Sequence, residues 1–461
     1  MTSIDMVGHT QCIEIRRYTE AGVVMTLLDL TPTVRRSSRL DDLPVAIIGA
    51  GPVGLAAAAN LVERGIDFVV YESGDSIASS MNAWRHIRLF SLWEHLIDPA
   101  AKRLLEAAGW EEPPAGVAPY AAAIIDDYLV PLAALEPIAS RTRLGVTVDS
   151  VSREGMDRTR SAGRATTPFV LRIHDGVEVS EFTARAVIDA SGTYGTPNSL
   201  SSNGLVPLGY ADVAEKVSHA LPDVLGTDRE RFAGKHTVVV GAGHSAANTL
   251  INLAKLAREE AGTTVTWVIR NSSAVRVSGS DDDELPGRAS LGQRIERLVA
   301  SGAIERVDQF EIVRLTASDG GVDIVGSRAG GIETIHADVV VNATGFRPNL
   351  DMLREIRLEL DEIVEAPRRL APLIDPNLHS CGTVAPHGFA ELQQPEPNFF
   401  IAGMKSYGRA PTFLLATGYE QVRSITAWLD NDMAAASNVE LVLPATGVCS
   451  TDEASGSSCC S

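Results

Sequence analysis

Residues 45–72, VAIIGAGPVGLAAAANLVERGIDFVVYE, carry the clearest indication of the fold. The first four of these residues form an apolar run, which predicts a buried parallel strand. The glycine motif GAGPVG follows at residues 49–54 and opens a predicted helix, and a second apolar strand at residues 68–71 ends at Glu72. Strand, glycine motif, helix, strand and acid in this order are the fingerprint of a dinucleotide-binding βαβ unit.

Each glycine of this first fingerprint has a predicted role of its own. Gly49 makes the tight turn, Gly51 lets the backbone approach a pyrophosphate, and Gly54 lets helix and strand pack closely. The helix N-terminus offers unpaired N–H groups and the positive end of a dipole to phosphates. Glu72 is placed to accept hydrogen bonds from ribose hydroxyls. The complete βαβ context favours dinucleotide binding over the alternative, a glycine-rich structural turn.

A second fingerprint begins with TVVVGAGHSA at residues 237–246. A helix and a strand at residues 265–269 follow, so the G-x-G-x-x-A motif again stands in full βαβ context. Where NAD-binding folds present an acid after this strand, the chain has Arg270. A guanidinium suits the 2′-phosphate of NADP, so the sequence favours NADPH over NADH. The alternative is a surface arginine at the end of a strand.

Two further predicted strands run into glycine-containing segments. Residues 186–188 lead into DASGTYGTP at residues 189–197, a pattern typical of a chain that leaves one domain for another. Residues 337–341 lead into NATGFRP at residues 342–348. We interpret the second segment as the return crossing into the first domain.

A closing strand-and-helix unit is predicted at residues 397–429. Its strand ends at Gly403, and a glycine-containing loop leads to Pro411, a residue suited to the first position of a helix. We therefore predict a helix from Pro411 to Leu429.

The order of these parts resembles the flavoprotein pyridine-nucleotide oxidoreductase superfamily. Within it, the chain is similar to the two-domain flavin-containing monooxygenases over roughly residues 44–430. The resemblance implies an α/β fold with two Rossmann-like dinucleotide-binding domains, one for FAD and one for NADPH, the FAD domain being discontinuous. The family signature F-x-G-x-x-x-H-x-x-x-[YF] is present only in part, as Phe232-Ala-Gly234 and His236.

The resemblance also implies which residues hold the cofactors. It places FAD on Gly49, Gly51, Gly54 and Glu72, NADPH on Gly241, Gly243, Ser245 and Arg270, and the hinges between the domains on Gly192 and Gly345. Gly403 joins the cofactor-binding set, because the N-terminal amides of the closing helix would face the electron-rich edge of a reduced flavin. Ordinary helix packing is the alternative for that helix.

The domain boundaries follow from the same features. We expect residues 1–43 to be a poorly ordered leader, with translation starting at Met1 or Met25. The remaining segments are a first part of the FAD domain at 44–192, the NADPH domain at 193–336, a second part of the FAD domain at 337–430, and a flexible cysteine-containing tail at 431–461.

In flavin folds, the segment after the second strand passes the isoalloxazine ring, and here it spans residues 73–96. Arg88 offers donors to flavin or nicotinamide phosphates, and Asn82 and Trp84 are the candidate catalytic residues, as a donor and a stacking wall. Further stacking candidates are Phe90 and Trp93. The alternative is an aromatic-rich connection packed in the core.

The family chemistry is oxygen transfer. NADPH reduces FAD, a C4a-hydroperoxide forms with oxygen, and a soft nucleophile takes the distal oxygen, while the protein supplies position and excludes water. Disulfide reductases of the same superfamily need a dithiol beside the flavin, as C-x-x-C or C-x-x-x-x-C. The five cysteines, Cys12, Cys381, Cys449, Cys459 and Cys460, contain no such pair. The cysteine spacing therefore favours a monooxygenase over a dithiol reductase.

Three of these cysteines crowd a tail rich in serine and glycine. Cys449, Cys459 and Cys460 could bind a soft, thiophilic ion, and three sulfurs match the needs of trivalent arsenic. The tail and the GHSA segment at residues 243–246 resemble cysteine-ended flavoproteins encoded in bacterial arsenic-resistance operons. We therefore predict an arsenical or thiol-bound arsenical substrate and a role in arsenic resistance. The alternatives are a chance cysteine cluster on an N- or S-hydroxylating monooxygenase with a small organic substrate, or a non-catalytic metalloid-binding flavoprotein.

Bulk properties exclude several partners. The formal net charge of -19 argues against nucleic-acid binding, which needs clustered Lys and Arg. The longest uncharged stretch, residues 45–62, is the first fingerprint, so we expect no membrane span. The N-terminus lacks the pattern of a secretory signal, and we expect a cytoplasmic protein. A homodimer is left open.

Overall fold

The structure, a computed structural model, describes residues 12–19, 22–29, 40–272, 286–375, 386–411 and 413–441, without the side chains of residues 12–19, 22–29 and 286–290. The chain divides into two compact units, residues 1–42 and residues 43–461. In the first unit, the strands Cys12–Thr19 and Gly22–Asp29 pair antiparallel. No regular structure was expected in this leader. Valine, isoleucine, leucine and threonine in the two segments favour the extended pairing.

The second unit contains two five-stranded parallel sheets. Their strands are short apolar runs with buried side chains, because helices or a further sheet cover both faces. In spatial order, the first sheet consists of Phe399–Ile401, Ala186–Asp189, Val45–Ile48, Phe68–Glu72 and Thr142–Leu144. The second sheet consists of Val217–Ser218, Val339–Asn342, His236–Val240, Thr264–Val268 and Glu305–Val307.

Each parallel sheet has an antiparallel companion of three strands. The companion of the first sheet consists of Thr147–Arg153, Phe169–His174 and Val179–Ala184, and that of the second of Glu311–Ser318, Gly321–Arg328 and Gly331–Ala337. In both cases the last companion strand leads directly into the strand beside the fingerprint strand. The two halves are therefore built to one plan, as the two fingerprints predicted.

The helices of the second unit connect these sheets and cover them. The α-helices are Pro52–Glu63, Ser79–Asn82, Pro99–Ala107, Ala121–Ala123, Val130–Ala134, Glu136–Ala139, Tyr210–Val213, Arg229–Phe232, His244–Glu259, Pro286–Ala300, Ala371–Ile374, Phe389–Leu392, Leu415–Leu429 and Met433–Ser437. A π-helix spans Ile124–Leu129, and 3₁₀ turns occur at Trp93–His95, Arg164–Thr166, Ala214–Lys216, Asp351–Leu353 and Gly403–Tyr407. None of the helices within the described ranges is long and apolar enough to cross a membrane.

The closing helix begins later than predicted. It spans Leu415–Leu429, whereas the proline rule placed its start at Pro411. The helix cannot begin at Pro411, because its N-cap residue Leu414 is extended, with a φ of −115° and a ψ of 144°. Pro411 is instead part of the exposed loop before the helix.

The predicted α/β class with two Rossmann-like sheets is confirmed. In both sheets the strand order reverses beside the fingerprint strand, which is where open α/β sheets bind ligands at the carboxyl ends of their strands. The domain boundaries at residues 192 and 336 stay predictions.

Candidate functional site

The first fingerprint forms a tight turn between two strand ends. A Cβ on Gly49, which has a φ of +99°, would lie 2.9 Å from the carbonyl oxygen of Ala190 in the neighbouring crossing segment. A Cβ on Gly54 would lie 1.9 Å from the carbonyl oxygen of Gly49. Around Gly51, by contrast, no atom would come within 4 Å of a Cβ. Two glycines thus close the turn, and the middle one leaves the backbone open to a ligand.

The helix after this turn presents a free positive end. Pro52 stands at its first position, and its first turn holds no acidic residue. Its N-cap residue, Gly51, has no side chain that could cap the helix. Its amides and dipole are therefore available to an anion. This cradle fits the pyrophosphate of a dinucleotide, and it combines with the open space at Gly51.

Glu72 ties the fingerprint turn to the second strand. Its carboxylate is buried, with Oε2 accepting from the backbone N–H of Ala50 at 2.8 Å. Its Oε1 accepts from the backbone N–H of Gly74 at 3.0 Å and from the hydroxyl of Ser79 at 2.7 Å. A carboxylate oxygen can accept two hydrogen bonds, so Oε2 can still receive a ribose hydroxyl. The ribose contact of Glu72 stays a prediction.

The second fingerprint repeats the geometry of the first. Gly241 has a φ of +135°, and a Cβ there would lie 2.1 Å from the carbonyl oxygen of Ala343. No atom would come within 4 Å of a Cβ on Gly243, which is the N-cap of the helix His244–Glu259. Ser245 lies in the first turn of that helix. The second sheet therefore also carries a cradle that fits a dinucleotide pyrophosphate.

Arg270 lies at the expected end of the second strand of this sheet. The strand ends at Val268, Ile269 is buried, and Arg270 is exposed. Among the residues that the structure describes, its guanidinium has no hydrogen-bond or ion-pair partner. A guanidinium has five N–H donors, which suit a ribose 2′-phosphate at this sheet edge. The contact of Arg270 with NADPH stays a prediction.

The two crossing segments lie side by side. The backbone N–H of Asn198 donates to the carbonyl of Gly345 at 2.9 Å, and the N–H of Arg347 donates to the carbonyl of Thr196 at 3.0 Å. The side chain of Asn342 adds a 2.9 Å bond to the carbonyl of Asn198. Gly192 and Gly345 have positive φ angles of 72° and 95°. The predicted crossings therefore form one paired connection, while their action as hinges stays a prediction.

Aromatic rings cover this connection. Tyr194 and Phe346, one from each crossing, have ring centroids 5.2 Å apart, and His219 lies 4.4 Å from Tyr194. Burial raises the pKa of the Tyr194 hydroxyl to about 12, so the hydroxyl stays protonated. It donates to the carbonyl of Ala220 at 3.2 Å. Nothing in the sequence analysis singled out this group.

The open space around Gly51 is termed the first crevice, and that around Gly243 the second crevice. The segment after Glu72 contacts the hydrophobic cores of both domains. The Asn82 amide donates to the Ser76 hydroxyl at 3.4 Å, and Trp84 is partly buried against the core of the first domain. Arg88 is exposed and donates to the carbonyl of Ala118 at 2.9 Å. The catalytic roles of Asn82 and Trp84 and the cofactor role of Arg88 stay predictions.

The aromatic residues of this segment divide between two environments. Trp93 is 3% exposed and packs in the core of the first domain, as the alternative for this segment stated. Phe90 packs against the core of the second domain, with its ring centroid 5.3 Å from that of His244. The segment therefore reaches the start of the second fingerprint helix.

The closing segment completes the first crevice. Gly403 has a φ of +69°, and a Cβ there would lie 3.2 Å from Val53 at the start of the first fingerprint helix. Its N–H donates to the side chain of Gln421 at 2.8 Å. Two residues later, the buried Lys405 forms a 2.6 Å ion pair with Asp189. The sequence analysis did not predict this pair.

The cysteine prediction falls outside the described residues, because Cys449, Cys459 and Cys460 all lie beyond residue 441. Within the ranges that are described, no group of three or more His, Cys, Asp and Glu side chains has the arrangement of a metal site.

Comparisons with known proteins agree with this geometry. Residues 170–379 match the family model described as pyridine nucleotide-disulphide oxidoreductase, and residues 47–101 match that of an NAD(P)-binding Rossmann-like domain. The chain is 30% identical to the rice (Oryza sativa subsp. japonica) indole-3-pyruvate monooxygenase YUCCA1 over 226 residues, which are 49% of this chain. The match spans 47% of that relative, less than half of its length.

Two solved structures share the fold over most of the chain. A bacillithiol disulfide reductase from Bacillus cereus superposes with a TM-score of 0.63 at 20% identity, covering 85% of this chain and 99% of its own. An FAD-bound cadaverine monooxygenase from Erwinia amylovora superposes with a TM-score of 0.58 at 14% identity, covering 87% and 98%. The predicted cofactor classes, FAD and a pyridine nucleotide, are confirmed.

Proposed function

We propose that this chain, which carries the domains of a pyridine-nucleotide flavoprotein oxidoreductase, is an NADPH-dependent flavin monooxygenase acting on a small molecule. One observation carries the proposal: both dinucleotide cradles are complete, yet residues 13–380 contain no cysteine. A reductase of the dithiol type needs two thiols beside the flavin. Without them, the electrons of NADPH need another acceptor, and molecular oxygen is the acceptor that a reduced flavin meets in a monooxygenase.

Each of the two crevices holds one cofactor in this proposal. The open backbone at Gly51 and the helix Pro52–Glu63 hold the pyrophosphate of FAD, and those at Gly243 and His244–Glu259 hold that of NADPH. FAD, when bound, accepts the hydride and supplies the oxygen chemistry. The protein orients the two cofactors through the paired crossings at Gly192 and Gly345.

Arg270 supports NADPH as the reductant. It is exposed at the end of the second strand of its sheet, where a ribose 2′-phosphate would lie. A guanidinium pairs with phosphate through parallel hydrogen bonds.

The substrate class that we propose is an arsenical or a thiol-bound arsenical, in a role in arsenic resistance. The support is the triad of soft ligands Cys449, Cys459 and Cys460 near the C-terminus, which suits a trivalent, thiophilic substrate. Arsenite binding and cellular arsenic resistance of a Cys459→Ser/Cys460→Ser variant test this role. Both are expected to fall, and unchanged values would remove the cysteines from the proposal.

A second candidate is hydroxylation of nitrogen or sulfur in a small organic substrate. The 30% identity, over 49% of this chain, to a plant monooxygenase named for an organic acid supports an organic substrate. In this case the cysteines near the C-terminus play no part, and amines or thioethers stimulate NADPH consumption while arsenicals do not.

The test is a turnover balance on the purified flavoprotein, with arsenite, a trivalent organoarsenical, an amine and a thioether as substrates. A monooxygenase consumes one NADPH and one oxygen for each product and transfers one atom of labelled oxygen to it. Release of one hydrogen peroxide for each NADPH with every substrate, or efficient reduction of a disulfide, would contradict the proposal.

A further inference from the structure

A buried ion pair lies close to the first fingerprint turn. The ammonium of Lys405, a side chain that is 2% exposed as a residue, donates to Oδ2 of Asp189 at 2.6 Å and to the hydroxyl of Ser191 at 3.1 Å. The Ser191 hydroxyl in turn donates to Oδ1 of Asp189 at 2.7 Å. The three side chains therefore close a hydrogen-bonded triangle.

This triangle adjoins the first fingerprint turn. Asp189 ends the strand beside the fingerprint strand, and the next residue, Ala190, donates its N–H to the carbonyl of Ile48 at 2.9 Å. A Cβ on Gly49 would lie only 3.0 Å from the Cα of Ser191. The triangle thus lies at the carboxyl ends of the strands where the sheet reverses its order, the place at which such sheets bind ligands.

The three residues of the triangle differ in their exposure to solvent. Asp189 is 0% exposed and Lys405 is 2% exposed, whereas Ser191 is exposed. Lys405 therefore has no direct access to a ligand in the crevice, but the residue that it fixes does. The Ser191 hydroxyl is held from both sides, as acceptor from Lys405 and as donor to Asp189.

Stability alone is a weak reason for such a pair. Removing two charges from water is costly, and apolar side chains of the same volume often serve a core equally well or better. An anion at the end of one strand and a cation in the turn after another do, however, specify one arrangement of the segments that carry them. Here these segments are the crossing after Asp189 and the closing segment after Ile401.

We propose that Lys405 is a positioning residue that, through Asp189 and Ser191, holds the crossing segment as the wall of the FAD crevice, with Ser191 as the residue that contacts FAD. The proposal rests on the assignment of FAD to the first crevice, and it does not depend on what the reduced flavin does next.

The experiment measures FAD release from the holoprotein, followed as the rise of FAD fluorescence after dilution. Ser191→Ala and Lys405→Met are each expected to release FAD about tenfold faster, the equivalent of one lost hydrogen bond from an FAD hydroxyl to the Ser191 oxygen. Because Lys405 acts through Ser191, the double variant is expected to release FAD no faster than either single variant.

Two controls separate positioning from simple destabilisation. The double variant Asp189→Asn/Lys405→Met removes both buried charges together, so it is expected to fold with an unchanged melting temperature and still to release FAD faster. Lys102→Met breaks the exposed pair with Glu112 and is expected to have no effect on release.

The exposed Ser191 decides the outcome. A hydroxyl on the surface with a merely structural role would leave FAD release unchanged when removed, and wild-type release from Ser191→Ala would overturn the proposal. Fully additive effects of Ser191→Ala and Lys405→Met would overturn the claim that Lys405 acts through Ser191. Neither result depends on turnover, so the monooxygenase function can fail or stand separately.

Discussion

The indole Nε1 of Trp267 donates a 2.7 Å hydrogen bond to the carbonyl oxygen of Gly241. This bond joins the neighbouring strand to the turn of the second fingerprint, and Trp267 is 1% exposed. The turn also lies close to the second crossing segment, because a Cβ on Gly241 would lie 2.1 Å from the carbonyl oxygen of Ala343. Trp267 thus helps to fix the turn on which the second cradle is built.

Trp267→Phe keeps an aromatic ring and removes the donor. We expect the free energy of unfolding to fall by about 1–3 kcal/mol, because a buried carbonyl loses its partner. NADPH should bind several-fold more weakly, while FAD release from the first crevice stays unchanged. Denaturant unfolding and NADPH titration measure the two effects, and weakened FAD binding of the same size would show that the effect is not local.

Substitutions at two glycines of the first fingerprint test the effects of packing and of ligand access separately. Gly54→Ala would bring its Cβ to 1.9 Å from the carbonyl oxygen of Gly49, so the purified variant is expected to lack FAD. Gly51→Ala meets no protein atom within 4 Å, and its φ of −79° suits alanine. It should fold with a loss of less than about 1 kcal/mol and still bind FAD poorly, because its methyl group would fill the cradle.

Absorbance of bound flavin and thermal unfolding measure these effects, with Gly116→Ala as the neutral control, since a Cβ there also meets nothing. Normal FAD content in Gly51→Ala would place the pyrophosphate elsewhere.

Arg270 is expected to set the choice of reductant. Arg270→Ser should lower kcat/KM for NADPH about 10- to 100-fold, because the 2′-phosphate loses a charge-assisted partner. The value for NADH should change by less than about threefold. Arg258→Ser, at an exposed helix position, is the matched control. Equal losses for both nucleotides would mean that Arg270 supports the fold and not the 2′-phosphate.

Glu396 is a buried carboxylate with two guanidinium partners. It pairs with Arg153 at 2.8 Å and with Arg164 at 2.8 Å. Burial raises the pKa of Glu396, but the hydrogen bonds from Arg164 and Arg153 outweigh it and hold the pKa below its usual 4.5. The unfolded state therefore takes up this proton first as the pH falls. The stability from this group is complete above pH 4.5 and is lost as the pH falls through the folded pKa.

Glu396→Gln is expected to lower the free energy of unfolding by about 3–5 kcal/mol at pH 7, because two buried cations lose their counter-charge. It should also flatten the loss of stability in acid. Denaturant unfolding at a series of pH values measures both effects. Glu365→Gln breaks the exposed pair with Arg409 and should change stability by less than about 1 kcal/mol. An unchanged acid slope in Glu396→Gln would exclude Glu396 as its source.

The sequence predicted the parts of the fold that are encoded locally. Both fingerprints are short contiguous motifs, so the turns at Gly49 and Gly241 could be placed to the residue. The predicted start of the closing helix was wrong, because the proline rule does not take into account that Leu414, which follows Pro411, is extended. The pairing of Cys12–Thr19 with Gly22–Asp29 was also missed, since the strand-favouring residues within this polar leader were not considered.

Contacts between residues that are far apart in the sequence could not be predicted. Lys405 and Asp189 are separated by 216 positions, and nothing near either one in the sequence indicates the other. The burial of Trp93 likewise follows from the first-domain core around it and not from its own segment. The catalytic roles of Asn82 and Trp84 depend on the cofactor, and the protein contacts alone do not assign them.

The central claim is that oxygen, and not a disulfide, takes the electrons of the reduced flavin and passes one atom to a substrate. The most direct measurement is rapid mixing of the NADPH-reduced protein with oxygenated buffer, followed through the flavin spectrum. We predict that return to the oxidised spectrum is delayed while NADP stays bound, and that a true substrate, an arsenical first among the candidates, accelerates it. Immediate return to oxidised flavin, with one hydrogen peroxide released for each flavin whatever substrate is added, would contradict the claim.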